Sequence, residues 1–363
     1  MPLRTPFWWY RPRGPLASAL SPLGAIYVRM AERKIAGVAP YRSRLPVICI
    51  GNFTAGGGGK TPTAIAVAEV LKGAGERPCF LTRGYGGKTQ GPTLVAKGKS
   101  AAEIGDETLL LHAHAPTVVS ADRAAGARLI EGTDATVIVM DDGFQNPQLA
   151  KDFSLIVVDA ATGLGNGLIM PAGPLRAPLD RQMKRADALL LIGEGGKAAP
   201  LAKSFESASK PVLKARMTPR GDPRWLGVLP VIGFAGIANP KKFYATLSQN
   251  GARLTGTRSF PDHHSYTERQ AMRLLKWARE SNAMLVTTEK DWVRLPDDDG
   301  TELSELKFRS RPLIVDIEFA DGNRLKRLLV ETIEKARRST WRGSIAPSKI
   351  VGCEESVMVS CAT

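Results

Sequence analysis

The sequence predicts an α/β protein: a mostly parallel sheet with helices on both faces, joined to a second, smaller α/β unit. Three observations predict it. Short runs that are apolar throughout alternate with segments of helical composition, the pattern of strands buried on both sides. A glycine-rich loop separates the first such strand from the first such helix. The alternation restarts after about residue 220, in a chain of 363 residues that is long enough for about two domains.

In order, Leu45 to Ile50 is a β-branched apolar run bounded by Pro and Gly, and reads as a buried strand. Thr63 to Lys72 has helical composition. Pro78 to Thr82 is a strand running into the glycine-rich turn Arg83 to Lys88, and Glu103 to His114 a helix. Thr117 to Ser120 is a strand, Asp122 to Glu131 a helix, and Ala135 to Met140 a strand ending in Asp141-Asp142-Gly143. Phe153 to Asp159 and Ala186 to Ile192 are further strands. In the second unit, Val228 to Ile237 and Ala252 to Phe260 read as strands, and Pro240 to Asn250 as a helix. Thr267 to Ser281 is a helix patterned by Met272, Leu275, Trp277 and Ala278. Ala283 to Thr288 and Arg311 to Ile317 are strands, and Arg324 to Arg338 is a last helix. The expected division is a basic aromatic segment 1–45, a core 46–222, a smaller α/β domain 223–322, a helix 323–338 and a loose tail 339–363.

Charge is uneven. Lys and Arg number 50 against 35 Asp and Glu, a net +15. Residues 1–45 hold Arg4, Arg11, Arg13, Arg29, Arg33, Lys34, Arg42 and Arg44 against Glu32 alone. Phe7, Trp8, Trp9, Tyr10 and Tyr27 lie among them. Aromatics beside arginine suit an anionic headgroup interface, or else they pack on the body of the protein. The longest uncharged run of this segment, Gly14 to Val28, has 15 residues broken by Pro15, Pro22 and Gly24, short of the ~18–20 a bilayer span needs. The expectation is peripheral contact with no transmembrane span. Arginine ahead of an apolar stretch also fits a secretory signal, but the loop described next needs cytosolic nucleotide. No helix-turn-helix, zinc-finger or RNP pattern accompanies the charge, so no nucleic-acid partner is expected. Four Cys without a C-x-x-C pair exclude a disulfide scaffold and a Cys-rich zinc module.

Residues 54–61 read Thr54-Ala55-Gly56-Gly57-Gly58-Gly59-Lys60-Thr61. The end matches the P-loop template G-x-x-x-x-G-K-[ST], with Thr54 in place of the first glycine. Such a loop turns backbone N–H groups inward around phosphate oxygens, and the helix N-terminus adds its positive dipole end. Lys60 then reaches the β- and γ-phosphates, the Thr61 hydroxyl ligates Mg²⁺, and Pro62 costs nothing in a first helical turn. This makes the larger unit P-loop NTPase-like. Such a site needs a carboxylate at a strand end across from the loop. Asp141 and Asp142 supply it, either one being the ligand, although Asp-Asp-Gly is also a good turn sequence.

Three further segments are weaker by themselves. Gly105-Asp106-Glu107 opens a helix, where acids commonly cap or complement the dipole. Asp262-His263-His264 follows a strand; adjacent loop histidines are weak as a metal pair, and they serve as base or orienter only if the second unit folds over the first. Arg83-Gly84-Tyr85-Gly86-Gly87-Lys88 is a second glycine loop with two cations. Three rivals to a kinase fail on particular residues. A GTPase needs Asn-Lys-x-Asp, whose spacing Thr288-Glu289-Lys290-Asp291 lacks. A partitioning-type ATPase has an extra Lys where Ala55 stands. A lipid-binding scaffold has no use for Lys60, Thr61, Asp141 and Asp142 together.

Taken together, the segments resemble the tetraacyldisaccharide 4′-kinase family, the lipid A 4′-kinases, from about residue 5 to about 335. The matching pieces, in the family's order, are Val47–Asn52, Gly56–Pro62, Arg83–Gly87, Gly105–Glu107, Asp141–Gln145, Pro171–Arg176, Phe260–His264 and Thr288–Asp291. Asn146 stands where the family often has His, and Ala177 where an acid is common. The resemblance implies ATP-dependent phosphorylation, with Mg²⁺, of the 4′-hydroxyl of an acylated glucosamine disaccharide 1-phosphate, the lipid A precursor, at the cytosolic face of the inner membrane. It implies that Lys60 and Thr61 hold triphosphate and Mg²⁺, and that Asp141 and Asp142 occupy the Walker B position. It further implies that Asp106 takes the hydroxyl proton with His263 as partner, that Glu107 and Arg176 shape the site, and that Tyr85 contacts substrate.

Overall fold

The structure, a computed structural model, describes residues 6–344. Its strands are β1 (Val47–Gly51), β2 (Pro78–Thr82), β3 (Thr93–Leu94), β4 (Thr117–Val119), β5 (Val137–Asp141), β6 (Phe153–Asp159), β7 (Ala188–Ile192), β8 (Val212–Pro219), β9 (Val231–Ala235), β10 (Leu254–Ser259), β11 (Met284–Thr288), β12 (Ser310–Leu313) and β13 (Val315–Phe319). A nine-stranded sheet runs β13-β8-β7-β6-β1-β5-β2-β4-β3, and a four-stranded sheet runs β10-β9-β11-β12. Both are parallel except where β13 and β3 add antiparallel edges to the larger one. The expected α/β class, a P-loop NTPase-like, mostly parallel sheet with helices on both faces and a smaller α/β unit, is what the chain adopts.

Burial explains the agreement. β1, β2, β5 and β7 are buried at every position. One face of the large sheet is covered by Ala64, Val67, Ala68 and Leu71 of the helix Lys60–Lys72, beside Leu325, Leu329 and Ile333 of the helix Gly322–Ser344. The other face takes Ala127 and Ile130 of Arg123–Glu131, with Leu201 and Phe205 of Ala199–Ser207. In the small sheet, Ala271, Leu274 and Leu275 cover one side, and Phe243 and Leu247 the other.

Four expectations are corrected. The run Arg311 to Ile317, read as one strand, is two. Ser310–Leu313 completes the small sheet, and after Ile314 the chain crosses over so that Val315–Phe319 pairs antiparallel with β8. Residues 315–319 therefore belong to the larger sheet, and the C-terminal helix packs back on that unit's core. That helix also runs on to Ser344, six residues past the expected end; the expected tail from 345 to 363 lies outside the described residues. Of Gly14 to Val28, read as broken, Gly14 is the cap and the rest lies within a helix, Pro15–Ile35, with Pro22 inside it on an exposed position. Finally, the helix expected from Glu103 to His114 breaks at Gly105 into Ala101–Ile104 and Asp106–His112.

The break has a cause that matters for the site. Gly105 sits at φ 88°, ψ 147°, and a Cβ there would meet the Tyr85 carbonyl oxygen at 2.5 Å. The strain and the collision have nowhere to go, because Gly84 and Gly87 press on the same turn. Gly105→Ala is therefore expected to destabilise the fold by about 2–4 kcal/mol, read as a lowered urea midpoint. A variant with the parent's midpoint would show that this turn yields freely.

Candidate active site

The loop after β1 leads straight into the helix Lys60–Lys72, whose cap, Gly59, takes the left-handed conformation at φ 83°. β1 lies between β5 and β6, so the loop opens at the carboxyl edge in the middle of the sheet, where open α/β folds bind ligands. The Lys60 ammonium donates to the Gly56 carbonyl at 3.3 Å, curling over the loop, and lies 3.8 Å from Asp142 Oδ2. The Thr61 hydroxyl donates to Asp141 Oδ2 at 2.9 Å. Lys60, Thr61, Asp141 and Asp142 are thus brought together, with Thr54 to Gly59 forming the loop between β1 and the helix. Arg176 joins them: its Nε donates to the Thr54 carbonyl at 3.2 Å and its Nη2 reaches Asp142 Oδ2 at 3.4 Å.

The two aspartates differ. Burial pushes Asp141 up to about 7, helped by the negative charges of Glu107 and Asp142 and opposed by Lys60 and the Thr61 hydroxyl. For Asp142 burial is outweighed by Lys60 and Arg176, which hold it below the usual range. Asp142 also sits at φ 50°, a left-handed position that a non-glycine residue seldom takes. Asp141 Oδ1 is buried without a hydrogen-bond partner. A buried, unpaired carboxylate oxygen beside a threonine hydroxyl suits a Mg²⁺ held by few protein oxygens, with phosphates and water completing the shell. No group of three or more His, Cys, Asp and Glu side chains placed to cage a metal occurs among the described residues.

The second cluster is built between the two units. Asp106, at the first position of its helix and 3% exposed, accepts from His263 Nδ1 at 3.0 Å and from Arg294 Nε at 2.6 Å, both on Oδ2. Its Oδ1 accepts from the Glu107 amide at 2.7 Å. Burial opposes its charge, but the His263 hydrogen bond and the cations Lys290 and Arg294 win, holding the carboxyl well below the usual range. Glu107 pairs with Lys290 at 2.8 Å, and Lys290 Nζ also lies 3.4 Å from His263 Nε2. His263 is left-handed, at φ 55°, and the Tyr85 ring packs edge-on against it with centroids 4.9 Å apart. Tyr85 is otherwise exposed. A cleft of about 230 Å³ opens beside this pair, between Tyr85, Ala101, His263, Tyr266 and Leu303.

So the second unit does fold over the first, which is the condition the Asp262-His263-His264 segment required. His264 turns away, stacking on Phe260 and meeting Gln270 Oε1 at 2.9 Å. Asn146 is engaged with Gln148 at 3.0 Å. Sequence reasoning missed Arg294 and Arg123. Arg123 is 3% exposed, its Nε lacks a partner, and burial together with the like charge of Arg83 lowers it to about 10. The signal for Arg294 lay in spacing: two cations at 290 and 294, one helical turn apart, meet two adjacent acids at 106 and 107.

A family model described as tetraacyldisaccharide-1-P 4′-kinase matches residues 16–334. A tetraacyldisaccharide 4′-kinase of Bradyrhizobium diazoefficiens is 43% identical over 92% of this chain and 98% of its own. One from Methylobacterium nodulans is 49% identical over 81% of this chain and 88% of its own. The crystal structure of LpxK from Aquifex aeolicus in complex with ATP superposes with a TM-score of 0.65 at 26% identity, over 88% of this chain and 99% of that one.

Proposed function

The chain belongs to the tetraacyldisaccharide 4′-kinase family, a family of ATP-dependent kinases of lipid A synthesis, and from that premise we propose how its residues divide the work. The observation that carries the proposal is the meeting of the phosphate loop with the acidic end of β5, Thr61 on Asp141 and Lys60 beside Asp142. Phosphoryl transfer needs in-line positioning and charge neutralisation more than covalent help. Gly56 to Thr61 hold the triphosphate. Thr61, Asp141 and Asp142 are the residues that would hold Mg²⁺, which would supply charge neutralisation to the phosphates. Arg176 steadies Asp142, and Tyr85 and Glu107 border the acceptor's approach.

The incoming hydroxyl needs a base. Asp106 Oδ2 already receives N–H donors from two residues, Arg294 and His263, so it is a poor acceptor for another proton. A carboxylate can only accept from Nδ1, so His263 Nδ1 carries hydrogen and Nε2 carries the lone pair, faced by the Lys290 ammonium at 3.4 Å, a long contact that an incoming hydroxyl would displace. We assign proton acceptance to the pair, received at His263 Nε2 and stabilised by Asp106. Contact between the units excludes water, which limits wasteful hydrolysis of ATP. Incubating the protein with radiolabelled ATP and purified disaccharide 1-phosphate tests the reading: label should appear on the 4′-oxygen and depend on Mg²⁺. Transfer to a different position, or hydrolysis alone, would sink it.

The N-terminal segment divides its aromatics between two tasks. Trp9 is buried and donates Nε1 to the Pro171 carbonyl at 3.0 Å. The helix Pro15–Ile35 rests on the body through Ala17 and Gly24, where a Cβ at Gly24 would lie 3.4 Å from that of Ile169. Its other side leaves Leu16, Leu23, Ile26 and Met30 exposed, at spacings of seven, three and four that share one helical face. No helix among the described residues is long and apolar enough to cross a membrane. An apolar face among arginines suits the cytosolic surface of an anionic inner membrane. The Tyr10 hydroxyl stands over Gly56, 3.7 Å from where a side chain there would begin, so this segment adjoins the phosphate loop. The double substitution Ile26→Glu, Met30→Glu should weaken binding to anionic vesicles by roughly tenfold or more at fixed salt, while leaving the thermal midpoint unchanged. Equal vesicle binding would remove the membrane role from this face.

A further inference from the structure

We propose that Arg294 is a positioning residue: brought from the second unit, its guanidinium fixes the Asp106 carboxylate against His263, so the proton-accepting pair is complete only when the two units are in contact. The proposal rests on the assignment of Asp106 and His263 made above.

The guanidinium is held from behind and aimed forward. Its Nε lies 2.6 Å and its Nη2 2.5 Å from Asp106 Oδ2. Nη1 donates to Asp291 Oδ1 at 2.7 Å and to the Gly236 carbonyl at 2.9 Å. Asp291 is itself fully buried and fixed, accepting from the Gly236 amide at 2.9 Å, from the Tyr266 hydroxyl at 2.8 Å and from Thr288. Arg294 therefore has little freedom to swing away, and its side chain is 7% exposed. Lys290, one turn earlier, grips Glu107. Two cations of the segment 290–294 thus clasp two adjacent acids of the first unit.

A clasp alone would be a structural device. This one ends on the oxygen that orients the imidazole. The charged groups around Asp106 are Arg294, His263, Lys290 and the neighbouring Glu107; those around His263 are Asp106, Lys290 and Asp262 at 3.9 Å, with the Tyr85 ring alongside. Burial works against charge on Asp106, and Arg294 is among the groups that overcome it. With Arg294 removed, the carboxyl retains its proton to higher pH. A protonated carboxyl donates to Nδ1 instead of accepting from it, which moves the imidazole hydrogen to Nε2 and blocks the acceptor.

The test uses the full chain as wild type, Arg294→Gln and Arg294→Lys. In Arg294→Gln, kcat at pH 7 should fall by roughly 10–100-fold, and the acid limb of the kcat profile should move up by about one pH unit or more, with KM for ATP within about threefold. Arg294→Lys, which keeps a cation, should recover much of kcat and most of the acid limb. Independently of turnover, long-range ¹H–¹⁵N spectra should show His263 protonated at Nδ1 in the wild type and shifted toward Nε2–H in Arg294→Gln. A lowered thermal midpoint with an unchanged pH profile and tautomer would reduce Arg294 to a structural clasp. Should Arg294→Gln fail to fold, an Nε2–H tautomer of His263 in the wild type near pH 7 would overturn the proposal by itself. If the tautomer responds as expected but no disaccharide is phosphorylated, the substrate assignment fails and the Arg294 coupling stands.

Discussion

Replacing Lys60 with Ala is expected to abolish phosphoryl transfer, with kcat/KM falling by roughly 10³ or more. The ammonium curls over the loop onto the Gly56 carbonyl and lies 3.8 Å from Asp142, joining the phosphate loop to the acidic strand end. Its loss acts twice. It removes the point charge that meets the developing negative charge of the γ-phosphoryl. It also removes one of the two groups, with the Thr61 hydroxyl, that oppose protonation of Asp141, already pushed up to about 7 by burial and by Glu107 and Asp142, so the metal-holding pair would weaken as well. Because Lys60 packs no apolar core, the thermal midpoint should hardly change. Transfer of ³²P from ATP, measured beside a melting curve, checks both halves; activity within tenfold of the parent would mean that the phosphate is gripped elsewhere.

The contrast between what the sequence revealed and what it hid follows from the range of the forces involved. Strands β1, β2, β5, β6 and β7 are covered on both faces, so their residues form apolar runs that read locally as strands. β8, Val212–Pro219, was missed because Leu213 and Ala215 point inward while Lys214 and Arg216 point out, giving an alternating strand near the edge in place of an apolar run. The crossover at Ile314 was missed because nothing local distinguishes a strand that continues from one that changes sheets; the choice is made by the free edge of β8. The Gly105 break was written in the sequence as a glycine before an acidic pair, but only the press of Tyr85 on that turn makes it decisive.

The site divides the same way. The phosphate loop is a local object, with strand, glycines, Lys-Thr and helix contiguous, and it was legible. The pairing of Thr61 with Asp141 spans 80 residues and was inferred from the need of a P-loop for an acidic strand end. The meeting of Asp106 with His263 spans 157 residues and came only through family resemblance. Arg294, 188 residues from Asp106, was marked only by its spacing from Lys290, which names no partner until the fold brings Asp106 to it. The departures at Asn146 and Ala177 have local partners: Asn146 caps Gln148, and the Ala177 carbonyl accepts from Gln182 at 2.8 Å.

The second large effect is at Asp106. Asp106→Asn should cut kcat by roughly 10²–10⁴, the span expected when the group that orients and charges a general base is neutralised, while ATP binding stays near the parent's. The amide is chosen over Ala for a physical reason. Truncation would leave the Nε and Nη2 side of Arg294 buried without its acceptor, Asp291 holding only Nη1, and breaking a buried pair costs about 3–5 kcal/mol, so a lost activity could be mistaken for lost catalysis. Asn keeps an oxygen for the guanidinium but cannot hold the imidazole as a carboxylate does. The two roles depend differently on pH. Asp106 is depressed in the fold, so its contribution to stability is present above the ordinary carboxylate range near ~4 and is lost as pH falls below it. The stability gap between wild type and Asp106→Asn should therefore be widest near neutral pH and narrow toward pH 3, in urea titrations. The kcat gap at neutral pH should remain under conditions where both proteins are fully folded. If Asp106→Asn turns over at the parent's rate while showing that stability gap, the carboxylate is an anchor between the units and proton acceptance must be sought at another group.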